Sequence, residues 1–190
     1  MRAVAGYAAD GGLVLGICNG FQVLAEAGLL PGALLRNRSL RFVCRDVAIT
    51  AERVDTFFTH RVPGRRALRM PVAHGEGCYY ADEATLDALE RDGGVLFRYV
   101  DDDGNPARVE GRENPNGSLR AIAGVINAAG NVAGLMPHPE RAADDLLGSE
   151  DGMLVLRSLV ESAAARAQGG AASGEGAEAW LTMTATGTAR

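Results

Sequence analysis

A cysteine held between small residues at a strand-to-helix break constrains this chain more than any other feature. Leu13, Val14 and Leu15 form a short apolar run that reads as a buried strand. Gly16-Ile17-Cys18-Asn19-Gly20 follows, and an apolar helical stretch from Phe21 to Ala27 begins at once. A strand, a tight turn and a helix within so few residues lift the apical side chain above a sheet, which is the geometry of a nucleophile elbow. The elbow comes early. An open α/β sheet needs strands on both sides of such a strand, and only 17 residues precede Cys18.

Bulk properties narrow the possible functions. With 190 residues, 47% of them hydrophobic, the chain is long enough for one domain with a substantial core. Its net charge of -5 does not favour a polyanionic partner, so nucleic acid is not expected. Arginines do cluster at Arg36, Arg38, Arg41 and Arg45, but only as a local patch. No apolar run reaches the roughly 18 residues of a membrane span, and Met1-Arg2-Ala3 opens no signal peptide. The three cysteines, Cys18, Cys44 and Cys78, form no Cys-x-x-Cys pair, and His60, His74 and His138 are scattered. Free thiols, a cytoplasmic setting and no metal site are therefore expected.

Periodicity and turn chemistry place the elements. Residues 1–9 read as the end of a helix stopped by Asp10-Gly11-Gly12. Strand 13–17 and helix 19–27 follow, with Gly28 closing the helix and Leu29 to Gly32 forming a turn. Residues 41–50 and 67–72 read as strands, and 74–80 as an unusual loop, His74-Gly75-Glu76-Gly77-Cys78-Tyr79-Tyr80. Asp82 is a good N-cap for a helix over 82–91. Strands are expected at 93–99, 122–126 and 132–136, the last two joined as a hairpin through Ala128 to Asn131. Met153, Leu156, Leu159 and Val160 mark an amphipathic helix over 152–166. From Gln168 the composition turns to Gly, Ala, Ser, Thr and Glu, so 168–190 is expected to be a disordered low-complexity tail.

Two segments can carry chemistry. Cys18 opens a helix, where unsatisfied N–H groups and the helix dipole stabilise a thiolate, and the Asn19 N–H can polarise a carbonyl under attack. The same residue also fits a buried structural thiol. His138 lies between Pro137 and Pro139 at the end of an apolar strand, with Glu140 two residues on. An extended backbone there would let Glu140 orient the imidazole as a general base. A surface histidine beside a loop acid would look the same in sequence. Were the strands before Cys18 and His138 parallel, both residues would reach one edge of the sheet.

Gly16-Ile17-Cys18-Asn19-Gly20-Phe21-Gln22 and Pro137-His138-Pro139-Glu140 together resemble the two motifs of class I glutamine amidotransferases. Leu29-Leu30-Pro31-Gly32, Asn37 with Leu40-Arg41-Phe42, and Pro71 to Gly77 extend the resemblance. Asn114 to Ser118, Ile122-Ala123-Gly124 and Gly134 to Glu140 extend it further. Within the family these segments are similar to the glutaminase subunits of phosphoribosylformylglycinamidine synthase. The resemblance implies a flavodoxin- or Rossmann-like α/β fold, an open mixed sheet flanked by helices, occupying residues 1–167. It implies Cys18 as nucleophile, His138 as base and Glu140 as its orienter, acting on glutamine through a thioester. Asn19, Gly20 and Gln22 would support the oxyanion and the elbow. His74, Gly75, Glu76 and Gly77 would form a loop at the entrance or partner contact, with no proton transfer by His74. Cys44 and Cys78 would be inert.

The resemblance also implies partners. A large synthetase subunit would use ATP and Mg2+ to turn formylglycinamide ribonucleotide into its amidine, and a small subunit would help assembly. This chain would bind no cofactor, consistent with the absence of a phosphate-loop motif. Other readings of the same residues are an amidotransferase for another acceptor, and an impaired subunit that only binds or scaffolds. Family members carry a preceding segment that this sequence does not contain. It supplies strands beside 13–17 and a glycine-rich loop with a second oxyanion donor. The expectation is thus an N-terminally truncated domain with an open apolar edge, whose oxyanion hole lacks a donor worth about 10²–10³ in rate.

Overall fold

The computed structural model describes residues 1–64, 66–101 and 103–169. Helix α1 spans Arg2–Ala9, strand β1 Val14–Ile17 and helix α2 Asn19–Glu26. Strands β2 (Ala33–Arg36), β3 (Val43–Ala51), β4 (Leu68–His74) and β5 (Glu76–Tyr80) follow. Helix α3 (Glu83–Arg91), strands β6 (Val95–Tyr99), β7 (Ile122–Ile126) and β8 (Val132–Leu135), and helix α4 (Asp151–Gly169) complete the order. Six strands form one mixed sheet in the order β1-β8-β7-β6-β3-β4, and β2 pairs with β5 in a separate two-stranded sheet. Among the described residues only β1 and β8 run parallel; every other pair is antiparallel.

The apolar runs explain the layering. Strands β6, β7 and β8 are buried at every residue, as central strands covered on both faces must be. On one face Leu96, Tyr99, Leu135 and Val155 of α4 pack together with Phe58 and Val62. On the other, Phe21 and Leu24 of α2, Leu86 and Leu89 of α3, and Ala8 of α1 close over Val95, Ile122 and Val132. Asp82 caps α3 as the sequence indicates, accepting a hydrogen bond from Thr85 N at 2.7 Å. The open mixed sheet with helices on both faces agrees with the fold class read from sequence, and β1 lies at its edge.

Two local expectations are corrected. Residues 76–80 are a strand, not a loop, because β5 finds a partner in β2. The pairing joins residues 40 or more apart in the chain (Arg36 with Glu76, Ala33 with Tyr80). The second correction is to the turn after His138, which is a 3-10 turn over Pro139–Arg141 rather than extended chain. The expected tail over 168–190 falls, from residue 170 onward, outside the described residues.

Close approach of α2 to the sheet sets the elbow. A Cβ at Gly134 of β8 would overlap the Phe21 ring, and one at Gly16 would lie 2.7 Å from the Gly20 backbone. Phe21 in turn stacks on Tyr79 of β5, with ring centroids 6.0 Å apart. Gly134→Ala is expected to lower unfolding stability by about 1–3 kcal/mol through overpacking. Urea unfolding followed by circular dichroism measures the loss.

Candidate active site

Cys18 stands between β1 and α2 with φ +51° and ψ −109°, a conformation that non-glycine residues rarely hold. Such strain, on the order of 1–3 kcal/mol, persists only where the surroundings impose it. Here the Cys18 N–H donates to Leu135 O at 2.8 Å, tying the elbow to the end of β8. Gly16 is required because its hydrogen faces the Gly20 backbone and Leu24. Gly20 faces open space, so no neighbour would meet a Cβ there.

Parallel pairing of β1 with β8 puts Ile17 opposite Leu135, so Cys18 and the segment leading to His138 leave the sheet at one edge. His138 is buried, with 7% of its surface exposed, and its Nδ1 lies 2.6 Å from Glu140 Oε1. The carboxylate accepts, so Nδ1 carries the proton and Nε2 the lone pair. That Nε2 is buried and has no protein partner among the described residues. The 3-10 turn brings Glu140 back to the ring without extended chain, and α4 presses on the turn from behind. Gly152 N donates to Ala142 O at 2.7 Å, and a Cβ on Gly152 would overlap Pro139 O.

Strand β4 completes the site from an unexpected direction. In sheet order it lies at the opposite edge from β1. However, β3 pairs with β6 only over Ile49–Ala51, and its first half pairs with β4 alone. That two-stranded ribbon reaches across the strand ends. Pro71 O accepts the His138 N–H at 2.9 Å, and Ala73 O lies 3.8 Å from Cys18 Sγ. Gln22 of α2 then donates to Glu76 O at 3.0 Å, joining the elbow helix to the start of β5.

Electrostatics differ from the thiolate suggested by the helix start. Burial pushes the Cys18 thiol up from its ordinary value, outweighing the Asn19 amide and the Arg141 charge, which pull it down, while Glu140 also raises it. These influences favour the neutral thiol over the thiolate at rest.

His74 is buried beside the site, held by Asn37. Asn37 donates from Nδ2 to Arg41 O at 2.9 Å and to His74 O at 2.8 Å, which fixes the orientation of its amide. Its Oδ1 accepts from Gly77 N at 3.1 Å and lies 3.0 Å from His74 Nδ1, so that ring nitrogen donates. Burial, with repulsion from His138, lowers the His74 pKa to about 4. Gly77 is needed because a Cβ there would meet the His74 ring at 2.5 Å. Sequence reasoning places Cys18, His138, Glu140, Asn19 and Gln22 in one neighbourhood. It does not find the Ala73 carbonyl, the Arg141 charge or the hub role of Asn37, which rest on contacts between distant segments.

Among the described residues no helix is long and apolar enough to cross a membrane. The set assembled here, a thiol, an oriented imidazole and a helix-start amide, suits nucleophilic acyl transfer. The family described as the CobB/CobQ-like glutamine amidotransferase domain matches residues 1–151. The phosphoribosylformylglycinamidine synthase subunit PurQ of Gloeobacter violaceus is 56% identical over 165 residues, which are 87% of this chain and 70% of that protein. Its namesake from Thermus thermophilus is 52% identical over 164 residues, 86% of this chain and 70% of that protein. A solved structure of PurLQS from Thermotoga maritima contains a chain that superposes with a TM-score of 0.69 at 43% identity. The match covers 83% of this chain and 65% of that one, so this chain spans about two thirds of the length of these relatives.

The buried His74 gives a pH signature. An unfolded histidine takes up its proton near pH 6.5, whereas folded His74 resists until about 4. Its contribution to stability is therefore full above pH 6.5 and is lost as pH falls toward 4, by up to about 3 kcal/mol. The difference in urea midpoints between the parent and His74→Gln, followed over this range, should shrink as the pH falls.

Proposed function

The chain belongs to the class I glutamine amidotransferase family, in its PurQ branch, and on that premise we propose that it hydrolyses glutamine to supply ammonia for purine synthesis. The observation that supports this reading is that Cys18, and the segment bearing a His138 imidazole whose Nδ1 is held by Glu140, follow the paired ends of β1 and β8.

His138 Nε2 takes the Cys18 proton, which burial keeps on the sulfur at rest. The thiolate attacks the carboxamide carbon of glutamine, and the Asn19 N–H stabilises the oxygen as it becomes negative. The C–N bond breaks while the imidazolium gives its proton to the leaving nitrogen, so ammonia departs and a thioester to Cys18 remains. Water then loses a proton to His138 and attacks the thioester; the sulfur leaves and is reprotonated, releasing glutamate. Glu140 holds the imidazole in the required tautomer and balances its charge in the imidazolium state. Gln22 and the Gly20 turn hold the elbow, while His74, Gly75, Glu76 and Gly77 shape the adjoining wall.

We further propose that the ammonia passes to partner subunits in an assembly like the PurLQS of Thermotoga maritima. We assign ATP and Mg2+ to the large synthetase subunit, which converts formylglycinamide ribonucleotide to its amidine, and assembly to a small third subunit. A cytoplasmic setting suits the three free cysteines.

A diazoketone analogue of glutamine is expected to label Cys18, as read by peptide mass, and Cys18→Ala to abolish hydrolysis. Glu140→Gln should lower kcat on the order of 10²-fold with little change in KM. Unlabelled Cys18 together with full activity in Cys18→Ala would overturn the reading.

A further inference from the structure

Glu140 and Arg141 are consecutive in the chain, yet both side chains reach the same point. Glu140 Oε1 lies 2.6 Å from His138 Nδ1 and 3.6 Å from Arg141 Nε. One carboxylate oxygen is thus flanked by the ring it orients and by a guanidinium from the same turn. The backbone fixes this arrangement. Arg141 N donates to His138 O and Ala142 N to Pro139 O, each at 3.1 Å, and Gly152 N of α4 holds Ala142 O at 2.7 Å. Ala142 is fully buried, so the turn is seated on the core while the two charged side chains stay about half exposed.

An ion pair with that exposure contributes little to folding. Its field, however, falls on buried neighbours: His138 keeps only 9% of its side chain exposed. Burial raises the Cys18 thiol most; the Asn19 amide and the Arg141 guanidinium then pull it down, and the Glu140 carboxylate pushes it up. The other elements around the sulfur add no charge. Helix α2 supplies the Asn19 amide and β4 the Ala73 carbonyl. His74 of β4 is lowered to about 4 by burial and by His138, and burial pushes the Tyr99 phenol of β6 well above its ordinary value, so both stay neutral. Proton transfer from Cys18 to His138 makes a thiolate and an imidazolium. With the Glu140 carboxylate alone, that set holds two anions and one cation; with Arg141 it holds two of each. An unbalanced charge among buried groups is costly.

We propose that Arg141 is a positioning residue for glutamine hydrolysis: its guanidinium keeps the Glu140 carboxylate on His138 and balances that carboxylate's charge at the Cys18 sulfur. The proposal rests on the glutaminase reading above. A carboxylate is needed to orient the imidazole, but its charge works against the thiolate that attacks. A cation held against the same oxygen removes that conflict without touching the substrate.

The test reads the rate at which iodoacetamide alkylates Cys18 against pH in the full chain, with the alkylated peptide identified by mass. Arg141→Gln is expected to move the midpoint up by about half to one pH unit. Arg141→Lys keeps the charge and should return the midpoint to that of the parent. The shift should shrink in high salt, because the guanidinium is half exposed. Turnover should follow the thiol. Arg141→Gln lowers kcat for glutamine about 3- to 10-fold at neutral pH with KM nearly unchanged, and Arg141→Lys recovers most of the loss. An unmoved midpoint in Arg141→Gln overturns the proposal, and so does an equal shift in Arg141→Lys. A lowered unfolding midpoint shared by both variants also overturns it, because the residue then serves the fold rather than the charge balance. Failure of the glutaminase reading shows separately, as a parent Cys18 that iodoacetamide alkylates but the diazoketone analogue of glutamine leaves unlabelled.

Discussion

The site depends on how closely α2 lies against the strands from which Cys18 and His138 emerge. Side chains usually hold a helix well away from a sheet; here glycine removes that spacing at two points. Gly134 admits the Phe21 ring onto β8, and Gly16 admits the first turn of α2 beside β1. Phe21 is fully buried between Gly134 and Tyr79, so the helix has one seat. Cys18 then has to turn from strand to helix within a single residue, and its positive φ is the result. Packing in the core thus supplies what the strained residue lacks locally.

From that seat the remaining contacts follow. Parallel pairing of β1 with β8 brings the segment bearing His138 to the same edge as Cys18. The end of the β3–β4 ribbon fastens both segments, accepting from the His138 amide and lying against the Cys18 sulfur. The start of α4 packs under the turn that carries Glu140, and Asp151 there accepts from Arg69 N of β4 at 2.8 Å. One helix therefore steadies both the orienting carboxylate and the strand that crosses the site.

Legibility in the sequence tracks how local each feature is. The elbow is readable because strand, glycines and helix fit within about fifteen residues, and His138 with Glu140 because two positions separate them. Asp82 as a cap is readable for the same reason. Strands β2 and β5 are not, since each is a strand only by pairing with the other across 40 or more residues. The crossing of β4 over the strand ends is also hidden. Its pattern at 68–74 reads as an ordinary strand, and nothing in the residues says that half of its partner strand lies beyond the main sheet. Asn37 looks like a turn residue until its four side-chain hydrogen bonds are seen together.

Under the proposed mechanism, burial explains why Cys18 would act as a base-activated thiol rather than a standing ion pair. A helix start favours a thiolate, but burial costs the charged sulfur its hydration, and for Cys18 that desolvation outweighs the favourable contacts. The same desolvation keeps His74 neutral, assisted by the nearby His138. An imidazolium on His138 therefore forms beside a neutral ring rather than a second cation, with the Glu140 carboxylate at its Nδ1. Both histidines lie buried with Nε2 atoms that no described residue partners, yet their Nδ1 atoms meet different acceptors, a carboxylate on one and an amide on the other. A carboxylate stabilises a protonated ring and an uncharged amide does so far less. Under the proposed mechanism, that difference separates the His138 ring, which would carry a proton during turnover, from the His74 ring, which would stay neutral in the wall.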